Sequence, residues 1–176
     1  MRGRHGFSLV ETSVVLAVAA ILAGLAAPGF MQQRRQMQLA AAAWGLHTAL
    51  HAARVQAASR GLPVVLCQTD TGGRCSAGGS VGAGWQYFVK QGAGLQSSFE
   101  AGDLLLGVQQ LPDHLQLVAS RPTVIYWPQP RAAQTSSFVF CDAQQWARPR
   151  AVIVSNTGRP RVSELAADGS ALQCAP

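Results

Sequence analysis

Acidic residues are scarce in this chain: eight aspartates and glutamates face fourteen basic residues across 176 positions, the formal net charge is +6, and only 12% of residues are charged. Thirteen of the bases are arginine and one is lysine. A lysine-rich disordered tail is therefore excluded, as is a charge-laced coiled coil. Beyond Glu11 the acids are Asp70, Glu100, Asp103, Asp113, Asp142, Glu164 and Asp168. They are spread thinly, none forms a pair suited to acid–base catalysis, and Asp103 and Asp113 read as turn or loop residues. No solenoid repeat and no collagen-like glycine period is visible. At roughly 150 residues per domain the length allows one globular domain plus an appendage. What is abundant is apolar: 48% of residues are hydrophobic and the mean hydropathy is +0.14.

The apolar residues are concentrated near the start. From Val14 to Met31 the run VVLAVAAILAGLAAPGFM holds no charge and no strong polar group. About 20 such residues, at 1.5 Å rise each, cross a hydrocarbon core of about 30 Å. A secretory signal would have a basic start, here Arg2, Arg4 and His5, but its apolar stretch is only about 7–15 residues long. This run is longer, and Glu11 interrupts its beginning. Glu11 also argues against a plain anchor, because a carboxylate in an apolar segment costs about 2.5–3.5 kcal/mol and usually has a partner. Arg34 and Arg35 after the run balance Arg2 and Arg4 before it, so charge alone does not settle orientation.

Gly6-Phe7-Ser8-Leu9-Val10-Glu11 resembles the cleavage motif of type IV prepilins: a short basic leader ending in glycine, then an aromatic, with glutamate fifth after the cut. Pro28 falls where pilins often carry a helix-kinking proline. The resemblance covers about the first thirty residues. It implies that a prepilin peptidase of the inner membrane cuts after Gly6 on the cytoplasmic side and methylates the new amine of Phe7. It also supplies the partner Glu11 needs, the amine of a neighbouring subunit in an assembling filament.

Helical pattern continues past the membrane. Leu39, Ala43, Leu46, Leu50, Ala53 and Ala57 draw a narrow apolar stripe at helical spacing, with Gln38, Arg54 and Arg60 on other faces. Gly61 is a stop signal and Pro63 forbids an early restart. The pattern predicts one helix of about fifty residues, kinked near Pro28 and Gly29. Strands are expected at Val64–Cys67, Trp85–Val89, Leu104–Val108, Leu115–Val118, Val124–Trp127, Phe138–Cys141 and Ala151–Val154, with Arg159–Val162 as a possible last one. Glycine- and serine-rich segments at Thr71–Gly84 and Gln91–Gly94, and a loop at Pro128–Pro130, separate them. The fold class is α+β: a long N-terminal helix packed on an antiparallel β-sheet domain, matching the pilin-like plan. The number of strands resembles the GspH/FimT branch of minor pilins and pseudopilins. The chain divides into a leader at 1–6, a transmembrane and assembly helix at 7–31, an amphipathic continuation at 32–60 and a β-domain at 61–176. The globular part is expected on the periplasmic side before assembly, and in a pilus or pseudopilus afterwards.

Four cysteines allow three pairings. In the oxidising compartment that a prepilin's globular domain faces, disulfides are their natural fate. Cys67 with Cys75 would close a short loop. Cys141 with Cys174, the favoured partner pair, would tie the C-terminus to a core strand for about 3–4 kcal/mol on the loop-entropy argument. No zinc-ligand spacing occurs. His47 and His51 share a helix face but lack an evident third ligand, so no metal or other cofactor is expected. Gly78-Gly79-Ser80-Val81-Gly82 satisfies the G-x-S-x-G string, yet no strand precedes it and no helix follows, so a nucleophile elbow is not expected and the chain reads as a non-enzyme.

Between Ala143 and Ser163 there are four arginines, Arg148, Arg150, Arg159 and Arg161, and no acid. Arginine's planar fork of donors matches phosphate oxygens, and Pro149 and Pro160 stiffen the segments that carry the pairs. In extended chain each i,i+2 pair points to one side. A hairpin closing through Ser155-Asn156-Thr157-Gly158 would then gather all four into one anion-binding patch. Gly158-Arg159-Pro160-Arg161 resembles the GRxR motif of FimT-type minor pilins, whose C-terminal region contacts DNA taken up in natural transformation. The resemblance assigns that role to Gly158, Arg159 and Arg161, while charge clustering alone adds Arg148 and Arg150. Only Trp146 offers a nearby stacking surface, so contact would be to backbone phosphate and nearly sequence-blind. Four neutralised phosphates of duplex DNA would give a salt slope of roughly −3.6. The alternative is a GspH-like pseudopilin of a type II secretion system, or a pilus-assembly primer, whose arginines meet only other pilins.

Overall fold

The computed structural model describes residues 8–76, 81–92, 98–129 and 134–174, with the side chains of 26–28 excepted. A helix, α1, runs Leu9–Arg60. It ends as glycine at its C-terminus requires: Gly61 turns left-handed at φ 68°, and its N–H donates to the Ala57 carbonyl at 3.2 Å. The runs Leu9–Leu25 and Gly29–Arg60 meet at 41°, and the break between them includes Pro28, as the sequence predicts. No single described helix is long and apolar enough to cross a membrane, but this bent pair is, by length and composition.

The two halves of α1 differ in what surrounds them. Leu9, Val10, Val14, Val15, Leu16, Ile21, Leu22, Leu25 and Phe30 are exposed. The stripe from Leu39 to Ala57 is fully buried against the β-domain. Gly45 has a packing reason to be glycine, since a Cβ there would stand 3.3 Å from the Trp85 ring.

Eight strands follow: β1 Val64–Thr69, β2 Gly84–Val89, β3 Leu104–Gln110, β4 Leu115–Ala119, β5 Thr123–Tyr126, β6 Ser136–Asp142, β7 Arg150–Val154 and β8 Pro160–Ser163. Each expected strand is present within a few residues. They form two antiparallel sheets rather than one, in the orders β3-β2-β1-β5 and β4-β6-β7-β8. The chain leaves the first sheet for β4 and returns for β5, a long-range exchange that strand periodicity does not encode. One core joins helix and sheets. It includes Leu46, Leu50, Leu66, Leu117, Phe138 and Val152, and the Trp85 and Phe140 rings meet edge-to-face across the sheets at 5.9 Å.

Both expected disulfides are present. Cys67–Cys75 has a Cα–Cα separation of 5.5 Å, and Cys141–Cys174 one of 5.8 Å. The second anchors the tail beyond β8 to the buried end of β6.

Two buried ionic groups have no signal in the sequence. Lys90, the one lysine, has 1% of its side chain exposed and donates to Glu100 at 2.8 Å, Asp103 at 3.0 Å and the Ser98 carbonyl at 3.2 Å. Burial alone would lower its pKa, but the hydrogen bonds and charges of Glu100 and Asp103 outweigh burial and raise it. Asp103 is likewise disfavoured by burial, yet the N–H groups of Glu100 and Gln91 and the Lys90 ammonium hold it below the usual carboxylate range. Asp103 is a loop residue, as the sequence suggests, and it clamps the β2–β3 connection. At the membrane-proximal end, Arg35 of α1 pairs with the fully buried Asp142 carboxylate at 3.1 Å and lies over the Trp146 ring at 4.8 Å.

Candidate nucleic-acid interface

The hairpin expected from Arg148 to Val162 forms between β7 and β8, with Ala151 opposite Ser163, Val152 opposite Val162, Ile153 opposite Arg161 and Val154 opposite Pro160. Its turn is built locally. The Gly158 N–H donates to the Ser155 carbonyl at 2.9 Å, and the Ser155 and Arg159 backbones join at 3.1 Å. Ser155 Oγ meets Thr157 Oγ1 at 2.9 Å and accepts from the Arg159 N–H at 3.3 Å. Gly158 takes φ 74°, a region where a side chain is disfavoured.

Two other elements hold the turn. Tyr126 of β5, 4% exposed, donates its hydroxyl to the Gly158 carbonyl at 3.1 Å. Burial pushes this phenol up to about 12, with the Arg54 charge acting weakly the other way. His47 of α1 faces the Pro160 carbonyl and rests against His51, ring centroids 4.8 Å apart. Its pKa lies below the ordinary histidine value because of burial and the neighbouring His51, partly offset by the Pro160 carbonyl. Among the described residues no group of three histidines, cysteines or acids could hold a metal.

The hairpin does not gather four arginines into one patch. Strand alternation divides them: Arg161 shares the side of Ile153, whereas Arg150 has the parity of Val152 and Val154, which face the core. Arg150 is also neutralised, donating to Glu164 at 3.1 Å. Arg148 lies before β7, its backbone N–H bonded to Gln36 Oε1 at 2.8 Å, at the opposite end of the hairpin from the turn. Trp146 is occupied by Arg35 at that same end. Arg159 and Arg161 remain, both exposed on one side of β8, and among the described residues no acid pairs with either.

Of the other singled-out residues, Gly6 and Phe7 lie outside the described residues, as do Gly78, Gly79 and Ser80 of the G-x-S-x-G string. Glu11 sits on the exposed first turns of α1, beside Thr12, Val15 and Leu16. Tyr126, whose hydroxyl holds the turn, and His47, which faces Pro160, carry no local signal for a place beside it. Their signal is contact across elements, invisible in any local window.

A long exposed helix continuing into a helix-on-two-sheets domain defines the pilin-like class. The family model described as Type II transport protein GspH matches residues 42–158, more than half of the chain, and that described as Prokaryotic N-terminal methylation motif matches residues 1–27. The chain belongs to the GspH family. Two crystal structures of the type IV minor pilin FimU from Pseudomonas aeruginosa strain PAO1 share its fold. The first has a TM-score of 0.53 at 16% identity, covering 73% of this chain and 90% of that one. The second has 0.51 at 17%, covering 71% and 92%. No curated protein matches. The chain is therefore a GspH-family protein with an N-terminal methylation motif, a membrane-anchored subunit of a pilus or pseudopilus. The GspH match stops at Gly158, so it does not include Arg159 or Arg161.

Proposed function

We propose that this subunit joins a type IV pilus and captures extracellular DNA for natural transformation through Arg159 and Arg161. The observation that carries this reading is the pair itself: two exposed guanidinium groups on one side of β8, held by a turn moored to β5 and α1, with no acid paired to them among the described residues. Arg150, by contrast, is neutralised by Glu164. Contact is to backbone phosphate, because among the described residues no recognition helix is presented beside the pair.

In the same proposal residues 1–6 are the leader cut after Gly6 by a prepilin peptidase, leaving Phe7 as the methylated end, and 7–31 are the membrane and assembly helix. Glu11 then meets the amine of a neighbouring pilin, Pro28 gives the bend, and the β-domain faces the periplasm. The test is a gel shift of the full chain in detergent micelles with a short DNA duplex. Binding should be lost in Arg159→Ala plus Arg161→Ala and kept in Arg148→Ala plus Arg150→Ala. Binding unaltered by the first pair removes the reading. Total absence of wild-type binding favours the pseudopilin or assembly-primer alternative, for which the exposed Leu104, Leu105 and Val108 of edge strand β3 offer a contact surface to other pilins.

A further inference from the structure

The outer face of the second sheet carries a second feature beside the arginine pair. Ser137 of β6 lies opposite Ile153 of β7, which lies opposite Arg161 of β8. Ser120, just after β4, extends the row, since its backbone N–H donates to the Ser137 carbonyl at 2.9 Å and its Oγ accepts from the Ser137 N–H at 3.0 Å. One step toward the turn, Ser155 stands beside Arg159. Thr135, two residues before Ser137 and exposed, comes at the same level from the β6 side. With neighbouring strands about 4.8 Å apart, the first row spans about 14 Å, and the two arginines stand about 7 Å apart along β8.

Between the rows lies a groove of about 420 Å³, lined by Ser120, Thr135, Ser137, Ser155, Arg161 and Ala167 among others, and no carboxylate among the described residues lines it. Ala167 belongs to the tail after β8, where the Ala166 N–H donates to the Ser170 carbonyl at 2.9 Å. Cys174 holds the far end of that tail to Cys141. The disulfide-tied tail is thus one wall of the groove.

We infer that this groove is a track for the sugar–phosphate backbone of DNA, leading from Arg159 and Arg161 across β7 toward β4. This deepens the DNA-capture reading and rests on it. Hydroxyls are donors that rotate to meet a phosphate oxygen without bringing a competing charge. Arg161 at one edge supplies the charge-assisted fork. Ile153 and, from the tail wall, Ala167 give an apolar surface suited to deoxyribose, and no described residue in the groove distinguishes one base from another. The arginines attract the strand, and the hydroxyl rows fix the direction in which it leaves them.

The experiment uses the full chain in detergent micelles and fluorescence anisotropy with two labelled probes, a DNA duplex and an abasic deoxyribose-phosphate oligomer of equal length. Thr135→Glu and Ser137→Glu each place a carboxylate in the groove, and Thr135→Glu lies before the strand, where it leaves the ladder untouched. Gln109→Glu, exposed on β3 of the other sheet, is the charge-matched control. Each groove variant should weaken both probes by about tenfold or more, the like-charge penalty at a contact. The control should stay within about twofold, because a distant charge is screened. If both groove variants match the control while Arg161→Ala still weakens binding, the track is wrong and the arginine reading stands. If the wild type binds neither probe, both fall. Binding of the duplex alone, without the abasic oligomer, also overturns the track, because bases would then carry the contact.

Discussion

The division of the four arginines has a measurable consequence in the salt dependence of binding. Each phosphate neutralised on duplex DNA contributes about −0.9 to the slope of log affinity against log salt. Four arginines in one patch would give roughly −3.6, whereas the structure leaves two, Arg159 and Arg161, on the outward side of β8 and so roughly −1.8 from this site. A slope of that size means that raising salt from about 50 to 200 mM weakens binding about twelvefold. The perturbation is Arg159→Ala plus Arg161→Ala, compared with Arg148→Ala plus Arg150→Ala, each titrated with a short duplex by fluorescence anisotropy across that range. The first pair should flatten the slope by about 1.8 and the second should leave it within about 0.3 of wild type. The reasoning rests on strand parity and on the Arg150–Glu164 bond. If the second pair flattens the slope as much as the first, Arg150 has abandoned Glu164 for DNA and the division is refuted.

Removing the Arg35 side chain leaves Asp142 buried without its cation. Arg35→Ala should therefore cost about 3–5 kcal/mol in urea unfolding, and a loss below about 1 kcal/mol would show that the pair does not dock α1 onto the β6–β7 connection. Lys90 should resist amine-reactive reagents in the native full chain and react only after denaturation, so stoichiometric native labelling at Lys90 would contradict its burial. The raised Lys90 and lowered Asp103 set a pH window for the clamp. Asp103 contributes stability above the ordinary carboxylate value of 3.8 that is lost as pH falls below it, and Lys90 contributes stability below 10.5 that is lost as pH rises beyond it. The protection factors of the amides of residues 98–103, with the intrinsic pH dependence of exchange divided out, should fall outside that window and hold within it. Tyr126 should ionise at about 12 in a spectrophotometric titration, and Tyr126→Phe should remove that step while costing about 1 kcal/mol through the lost bond to the Gly158 carbonyl. An unchanged titration in Tyr126→Phe would mean that the high step belongs to another group.

Much of the architecture is local and therefore readable along the chain. The bend near Pro28, the stripe from Leu39 to Ala57, the stop at Gly61 and the eight strands follow from backbone chemistry and side-chain period, which act over a few residues. An oxidising compartment predicts that the four thiols pair, but leaves three pairings open; the fold brings Cys141 and Cys174 together. The Lys90 clamp is not legible in sequence because its acids, Glu100 and Asp103, stand 10 and 13 residues away, and a single lysine just after a strand has no pattern. The same holds for Arg35 and Asp142, which lie on α1 and β6.

The candidate site shows the division most clearly. Sequence alone determined the hairpin, its Ser155–Gly158 turn and the i,i+2 pairing that keeps Arg159 and Arg161 together, because alternation within one strand is a property of the backbone. It did not decide which arginines share a surface. That depended on register between β7 and β8 and on which side faces the core, quantities set by pairing among distant strands. Register turned Arg150 toward Glu164, brought Tyr126 and His47 to the turn, and placed the hydroxyls of β6 beside Arg161. Each contact joins residues of different elements, so only the closed fold, with α1 packed on strands of both sheets, determines who the neighbours are.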